Sequence, residues 1–295
     1  MIRRRLAHAL DRRFEPLHHR VERLEQELRD TRERLEDELR YTRMRLDAEL
    51  YPALRILAGR DAESRRLLAE ARASDDYRLA WDEPDPLVTV ILPTLGRPEL
   101  LRTRALPAVL GQTHRQLEVL VLGDGPSPEA EAVVHELGDE RVRWTRTSQR
   151  YVYPDEHRHW LAASTLARNE GYRLARGRWF FDFDDDDSLP ADAIASLLSA
   201  ARASRAEAVQ GVITSHAPGG STEPIRAVLP DQLPLKGALV HAHLRFFERE
   251  HVASALAVPG DWFRGERMLR AGVCIELLDR VTYDYFPSSL WRRGG

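Results

Sequence analysis

Lysine and cysteine are almost missing from this sequence. Lys236 is the sole lysine, the other basic residues being arginines, and this reads as codon bias and not as a mark of function. Cys274 is the sole cysteine, so no internal disulfide and no multi-cysteine zinc site can form. Its apolar surroundings, AGVCIELL, suggest a buried core thiol. No apolar run approaches the ~20 residues that span a bilayer, and no apolar signal core follows the basic N-terminus. A cytoplasmic location is therefore expected. A net charge of −3 offers no global attraction for nucleic acid. Neither a Gly-x-Gly-x-x-Gly nor a Walker-type loop occurs, which argues against dinucleotide and P-loop chemistry.

What is present changes character near residue 80. Residues 1–80 are rich in Arg, Glu and Leu and nearly free of Gly and Pro. Leu17, Val21, Leu24, Leu28, Thr31 and Leu35 recur at alternating spacings of four and three, a heptad seam. Leu39, Thr42, Leu46 and Leu50 extend it with four-residue slips that read as stutters. Glu25–Arg29 and Glu36–Arg40 add support one turn apart. The segment is either a long solvated helix packed on its own globular domain or a coiled coil, giving a homodimer or gripping another protein. The sustained heptads favour the coiled coil. Arg3, Arg4, Arg5, Arg12 and Arg13 form a basic patch suited to peripheral contact with an acidic membrane surface, although Asp11 and Glu15 dilute it. Residues 81–86, Trp-Asp-Glu-Pro-Asp-Pro, read as a linker, because paired prolines cannot continue a helix. A globular domain is expected over 87–290, then a short tail over 291–295.

Within that domain, short β-branched or aromatic runs at 87–92, 117–122, 141–144 and 179–183 read as strands. Helical patterns alternate with them, including one over 160–175. Strand and helix in alternation predict an α/β fold with a mostly parallel sheet covered on both faces. Two further strands are expected at 273–278 and 281–285, and a helix opening at 259–262. His241 and His243 fall two apart on a strand-like run, suited to packing or acceptor contact, with a metal ligand the less favoured reading.

The acids lie at strand ends. Asp184, Asp185, Asp186 and Asp187 follow the strand at 179–183, and Pro190 opens a helical pattern after them. Four adjacent carboxylates repel one another, so either water in an open loop or a bound cation must offset the cost. Asp124 stands in Gly-Asp-Gly at the end of the second strand, and Asp261 at a helix start. Taken singly, Asp124 suits an ordinary turn, Asp261 a helix cap and Asn169 a helix surface. Parallel strands bring their carboxyl ends to one sheet edge, where ligands bind. Carboxylates without paired His or Cys suit a hard cation, Mn²⁺ or Mg²⁺.

Four stretches in order resemble the GT-A-fold glycosyltransferases of family 2, over roughly 87–286. VTVILPTLGRPELL is similar to that family's first strand and turn, and LEVLVLGDGPSP to its second strand and base-reading aspartate. LARNEGYRLARGRWFFDFDDDDSLP resembles its helix, strand and metal-binding DxD region, and GDWFRGERMLRAGVCIELLDRVTYDYFP its acceptor-side segment. The resemblance implies a GT-A, Rossmann-like sheet with flanking helices. It implies an inverting transfer of a sugar from a nucleotide-diphospho-sugar to an acceptor hydroxyl on a glycan, lipid or other molecule. Pro93, Thr94, Arg97, Asp124, Arg168, Asn169 and Asp184 would line the donor site. Asp184, Asp185 and Asp186 would hold the metal, with Asp185 foremost and Asp187 a helix cap. Asp261 would be the general base. Gly96, Gly123, Phe183 and Gly260 depart from the pattern, where the family often has Asn, an acid, Asp and Glu. Two alternatives stay open: a sugar-phosphate nucleotidyltransferase, and a non-catalytic assembly protein with a degenerate transferase domain.

Overall fold

A computed structural model describes residues 2–153, 155–217, 220–226 and 235–287, with side chains from residue 19 onward except 49, 53 and 55–59. The basic patch of residues 3–13, the side chain of Leu17 and the 291–295 tail lie outside what is described. Helix α1 (Ile2–Arg45) continues through a wider π-helical stretch (Leu46–Leu50) into α2 (Tyr51–Arg72). The widening falls just before Pro52, whose ring nitrogen has no hydrogen to donate; the Tyr51 N–H reaches back to Leu46 O.

Two compact units divide between Arg55 and Ile56. Within the second unit, the stretch ahead of the sheet is held by aromatic packing. Leu68, Tyr77, Ala80 and Trp81 are buried in the globular unit, and the Trp81 indole N–H donates to Ala206 O at 2.9 Å. The Trp179 indole returns the bond to Ala80 O at 2.8 Å, with the two rings edge to face at 5.8 Å. Large buried indoles whose N–H groups are paired anchor a segment firmly. Short α3 (Leu79–Asp82) is thus part of the core, and the Pro-rich stretch merely leads into the sheet.

The sheet comprises β1 (Val88–Thr94), β2 (Leu117–Gly123), β3 (Val142–Arg146), β4 (Trp179–Asp182), β5 (Ala208–His216), β6 (Thr222–Ile225), β7 (Leu239–His241) and β8 (Ile275–Tyr285). Their order is β3-β2-β1-β4-β7-β5-β6, with β8 beside β5. Strands β1 to β4 run parallel, β7 is antiparallel to β4 and β5, and β8 is parallel to β5. The helices are α4 (Pro98–Leu100), α5 (Leu106–Leu110), α6 (Pro128–Leu137), α7 (Glu156–Ala162), α8 (Thr165–Leu174), α9 (Ala193–Ser204), α10 (Val252–Ala255) and α11 (Gly260–Ala271). Alternation along each strand feeds two cores. Val88, Val90 and Leu92 enter one, with Val119, Val121, Trp179 and Phe181. Ile91 enters the other, with Leu120, Leu122 and Phe180. Helix α8 lies so close over β1 that a Cβ on Gly171 would meet Ile91 Cγ2 at 2.6 Å.

Several elements differ from expectation. The helix expected over 160–175 is two helices, broken at Ser164, whose φ of 58° is left-handed. The two strands expected at 273–278 and 281–285 are one, β8, which absorbs Asp279-Arg280 through register shifts opposite Gly211–Ile213. Helix α9 starts at Ala193, not at Pro190. Cys274 is exposed, because it precedes β8 while its neighbour Val273 takes the inward place.

Candidate active site

The carboxyl ends of β1, β2 and β4 meet at one edge. Thr94 closes β1, and its O accepts from the Asp124 N–H at 3.0 Å, so the turns after β1 and β2 are tied together. Asp124 is buried. Burial raises its carboxyl above the ordinary value, and the nearby Arg150 charge opposes this. Arg150 also donates to Asp124 O at 2.9 Å. Gly123 has a local cause: a Cβ there would lie 2.8 Å from Gly125 O and 3.0 Å from the Trp144 ring. The turn is folded too tightly for an acidic side chain at that position.

The four aspartates after β4 do not act as one unit. Asp185 turns inward, 1% exposed, where the Thr94 hydroxyl donates to it at 2.6 Å and Arg97 pairs with it. Burial pushes it up to about 6, against Arg97 and Thr94. Asp186 pairs with the same Arg97, and Arg104 donates to its backbone carbonyl. Asp184 is gripped by Arg168 and Lys236; although burial favours its neutral form, those two cations hold it far below the usual carboxylate range. Asp187 is fully buried and takes no part in capping α9. It accepts from the Tyr283 hydroxyl and the Phe286 N–H, each at 2.8 Å, and pairs with Lys236 at 2.8 Å. Burial moves it upward, opposed by Lys236.

The sole lysine therefore lies at the centre of the acidic loop. Its ammonium bridges Asp184 and Asp187 and faces the Tyr283 and Tyr285 rings at 5.2 and 4.5 Å. Next to it, Gly237 has a φ of 66°, and a Cβ there would lie 2.1 Å from the Tyr283 ring; glycine is required for this approach. Phe183 fills its departure site as core, edge to face with Tyr283 at 5.6 Å.

Behind the loop lies a second charged layer at the end of β4. Asp182 is 3% exposed and accepts from the Tyr172 hydroxyl at 2.6 Å. Arg249, Arg264 and Arg168 stand at 3.3, 3.4 and 3.7 Å. Burial alone would raise Asp182, but the three arginines outweigh it and depress it. Asn169 clasps the backbone of Arg249, donating to its O at 3.0 Å and accepting from its N–H at 2.9 Å. Asp261, half-buried in the first turn of α11, adds its charge on Arg249: burial works against that guanidinium, but Tyr172, Asp182 and Asp261 hold it protonated. Five carboxylates at 182 and 184–187 thus face five cations: Arg97, Arg168, Lys236, Arg249 and Arg264.

Of the residues singled out in sequence, Pro93, Thr94, Arg97, Asp124, Arg168 and Asp184 come together at this edge, and Asn169 and Asp261 join through Arg249. Sequence reasoning missed Asp182, Lys236, Arg249, Arg264 and Tyr283. The one available signal was the lone lysine. His241 is packing: it stacks on Tyr77 at 4.2 Å, its Nε2 lies 2.9 Å from Tyr77 O, and His243 pairs with Asp76 at 3.0 Å.

The acids offer a donor set for a cation. One oxygen each from Asp184, Asp186 and Asp187 lies within 4.8 Å of the others. All are hard ligands, as Mn²⁺ or Mg²⁺ requires. Asp185 is outside that group, turned to Thr94 and Arg97. The oxygens are currently matched by basic side chains, so a metal would enter by exchange with Lys236 and Arg97.

A mostly parallel sheet with acids and cations at its carboxyl edge defines a GT-A, nucleotide-diphospho-sugar transferase architecture. Residues 89–235 match the family described as Glycosyl transferase family 2, so the resemblance read in the sequence is shown. A curated relative, the GalNAc(5)-diNAcBac-PP-undecaprenol beta-1,3-glucosyltransferase of Campylobacter jejuni, is 28% identical over 118 residues, 39% of this chain and 35% of the relative. This chain therefore spans about a third of that relative's length. Crystal structures of S. aureus TarS 1-349 share the fold. The complex with UDP has a TM-score of 0.54 at 14% identity, over 68% of this chain and 61% of TarS 1-349. The complex with UDP-GlcNAc has 0.53 at 14%, over 69% and 59%. Among the described residues, no helix is long and apolar enough to cross a membrane.

Proposed function

We propose that the protein is an inverting glycosyltransferase, moving a sugar from a nucleotide-diphospho-sugar to an acceptor hydroxyl. The observation that carries this is the junction of Thr94, Asp124 and the 184–187 loop at one sheet edge, with Arg97, Arg168 and Lys236 among the acids. Asp124 would accept from a nucleobase N–H. The three cations suit phosphate oxygens, with Arg97 and Arg168 able to offer paired donors. Asp261 accepts the proton of the acceptor hydroxyl, whose oxygen bonds to the anomeric carbon as the bond to the diphosphate breaks. Asp184, Asp186 and Asp187 would hold a divalent cation, Mn²⁺ or Mg²⁺, which when bound neutralises charge on the departing diphosphate. The relative from C. jejuni is named a glucosyltransferase and TarS was crystallised with UDP-GlcNAc, which supports a sugar nucleotide as donor here. Asp261→Asn should lower transfer by about 10²–10⁴-fold while donor affinity stays within about twofold. Unchanged turnover rejects Asp261 as the base.

A further inference from the structure

We propose that α1 pairs with a second copy of this chain as a parallel, in-register coiled coil. Val21, Leu24, Leu28, Leu35 and Leu39 are each at least 50% exposed, although they form a continuous stripe on a helix of 44 residues. Val21, Leu28 and Leu35 take heptad position a, and Leu24 and Thr31 take d. Thr31 is the one polar side chain in that seam, and its hydroxyl already donates to Glu27 O at 2.7 Å, so burying it strands no donor.

The flanking charges select the occupant. Position g holds Arg20 and Glu27, and the following e positions hold Glu25 and Arg32. In a parallel in-register pair each g residue meets the next e residue of its partner. Arg20 then faces the partner's Glu25, and Glu27 faces the partner's Arg32. Both contacts are attractive and each occurs twice, so the helix is complementary to itself. In the single chain Arg32 also pairs with Glu36 at 2.8 Å. That i,i+4 pair lies along the helix and leaves the guanidinium free to bond across the seam as well, since it carries five N–H donors. The step from Leu35 to Leu39 locally unwinds the supercoil, so the contact is tightest over residues 21–35.

Sedimentation equilibrium of the full chain tests this. The expected mass is twice the 33.8 kDa chain. Leu24→Glu with Leu28→Glu should give a monomer whose globular unit unfolds at an unchanged urea midpoint. Glu27→Arg should weaken the dimer about tenfold, by turning two contacts repulsive, and adding Arg32→Glu should restore it. In a Cys274→Ser background, Leu24→Cys should oxidise to a covalent dimer, because in-register pairing sets each residue against its own copy. A monomer at about 50 μM, a dimer without charge rescue, or one without the crosslink (an antiparallel pair or another surface) overturns the proposal.

Discussion

Replacing Asp182 by Asn should destabilise the globular unit more than any other single change at the site. The carboxylate is buried, and it is the shared partner of Arg249 at 3.3 Å, Arg264 at 3.4 Å and Arg168 at 3.7 Å. Asn has nearly the same volume, so no cavity opens and the effect is electrostatic. Removing one partner of a buried ion pair typically costs about 3–5 kcal/mol, because the other charge is left uncompensated. Here three guanidinium groups lose their common anion, although Arg168 retains Asp184. A loss of about 4 kcal/mol follows. Tyr172→Phe removes one hydrogen bond to that carboxylate and should cost about 1.5–3 kcal/mol. The two changes should be strongly non-additive, since the Tyr172 hydroxyl acts through the Asp182 charge. Urea unfolding followed by the fluorescence of the buried Trp179 and Trp81 reads the unsubstituted protein, the two single variants and the double variant. A loss below about 1 kcal/mol for Asp182→Asn, with an unchanged slope against urea, would refute the layer of charge described here.

Two further outcomes follow from the same geometry. Lys236→Met should tighten Mn²⁺ binding to the ligand-free protein about tenfold, because the ammonium bridging Asp184 and Asp187 no longer competes. Electron paramagnetic resonance of free Mn²⁺ measures this, and equal or weaker binding contradicts it. His241 is held at about 4 by burial, against an ordinary 6.5. The unfolded chain therefore binds a proton that the folded one refuses. The stability present above pH 6.5 is lost as pH falls toward 4, by about 3 kcal/mol; His241→Gln should flatten that slope, and an unchanged slope places the acid sensitivity elsewhere.

Strands β1, β2 and β4 were legible because they are short, largely apolar runs buried along their whole length, a pattern no surface element mimics. The strand-end acids were legible for a related reason: a carboxylate following such a run at once has few other places to go. The partners of those acids were not. Lys236 lies 52 residues from Asp184, and Arg249 and Arg264 reach Asp182 from beyond β7, so only the folded sheet edge brings them together. Local sequence also misplaced Asp187, whose tie to Tyr283 spans 96 residues, and the break at Ser164, where a non-glycine residue takes a left-handed backbone without any turn signature. The stretch at 81–86 was read as a linker from its prolines, while the paired indoles of Trp81 and Trp179 tie α3 to the sheet across about a hundred residues of chain.

We propose a nucleotide-diphosphate site at the joined ends of β1, β2 and β4. Thermal unfolding of the full chain against a panel of nucleoside diphosphates with Mn²⁺ tests it most directly. One of them should stabilise the protein by about 2.7 kcal/mol at a hundredfold excess over its dissociation constant, and Asp124→Ala should abolish the shift. No shift of the unsubstituted protein with any member of the panel would contradict the account.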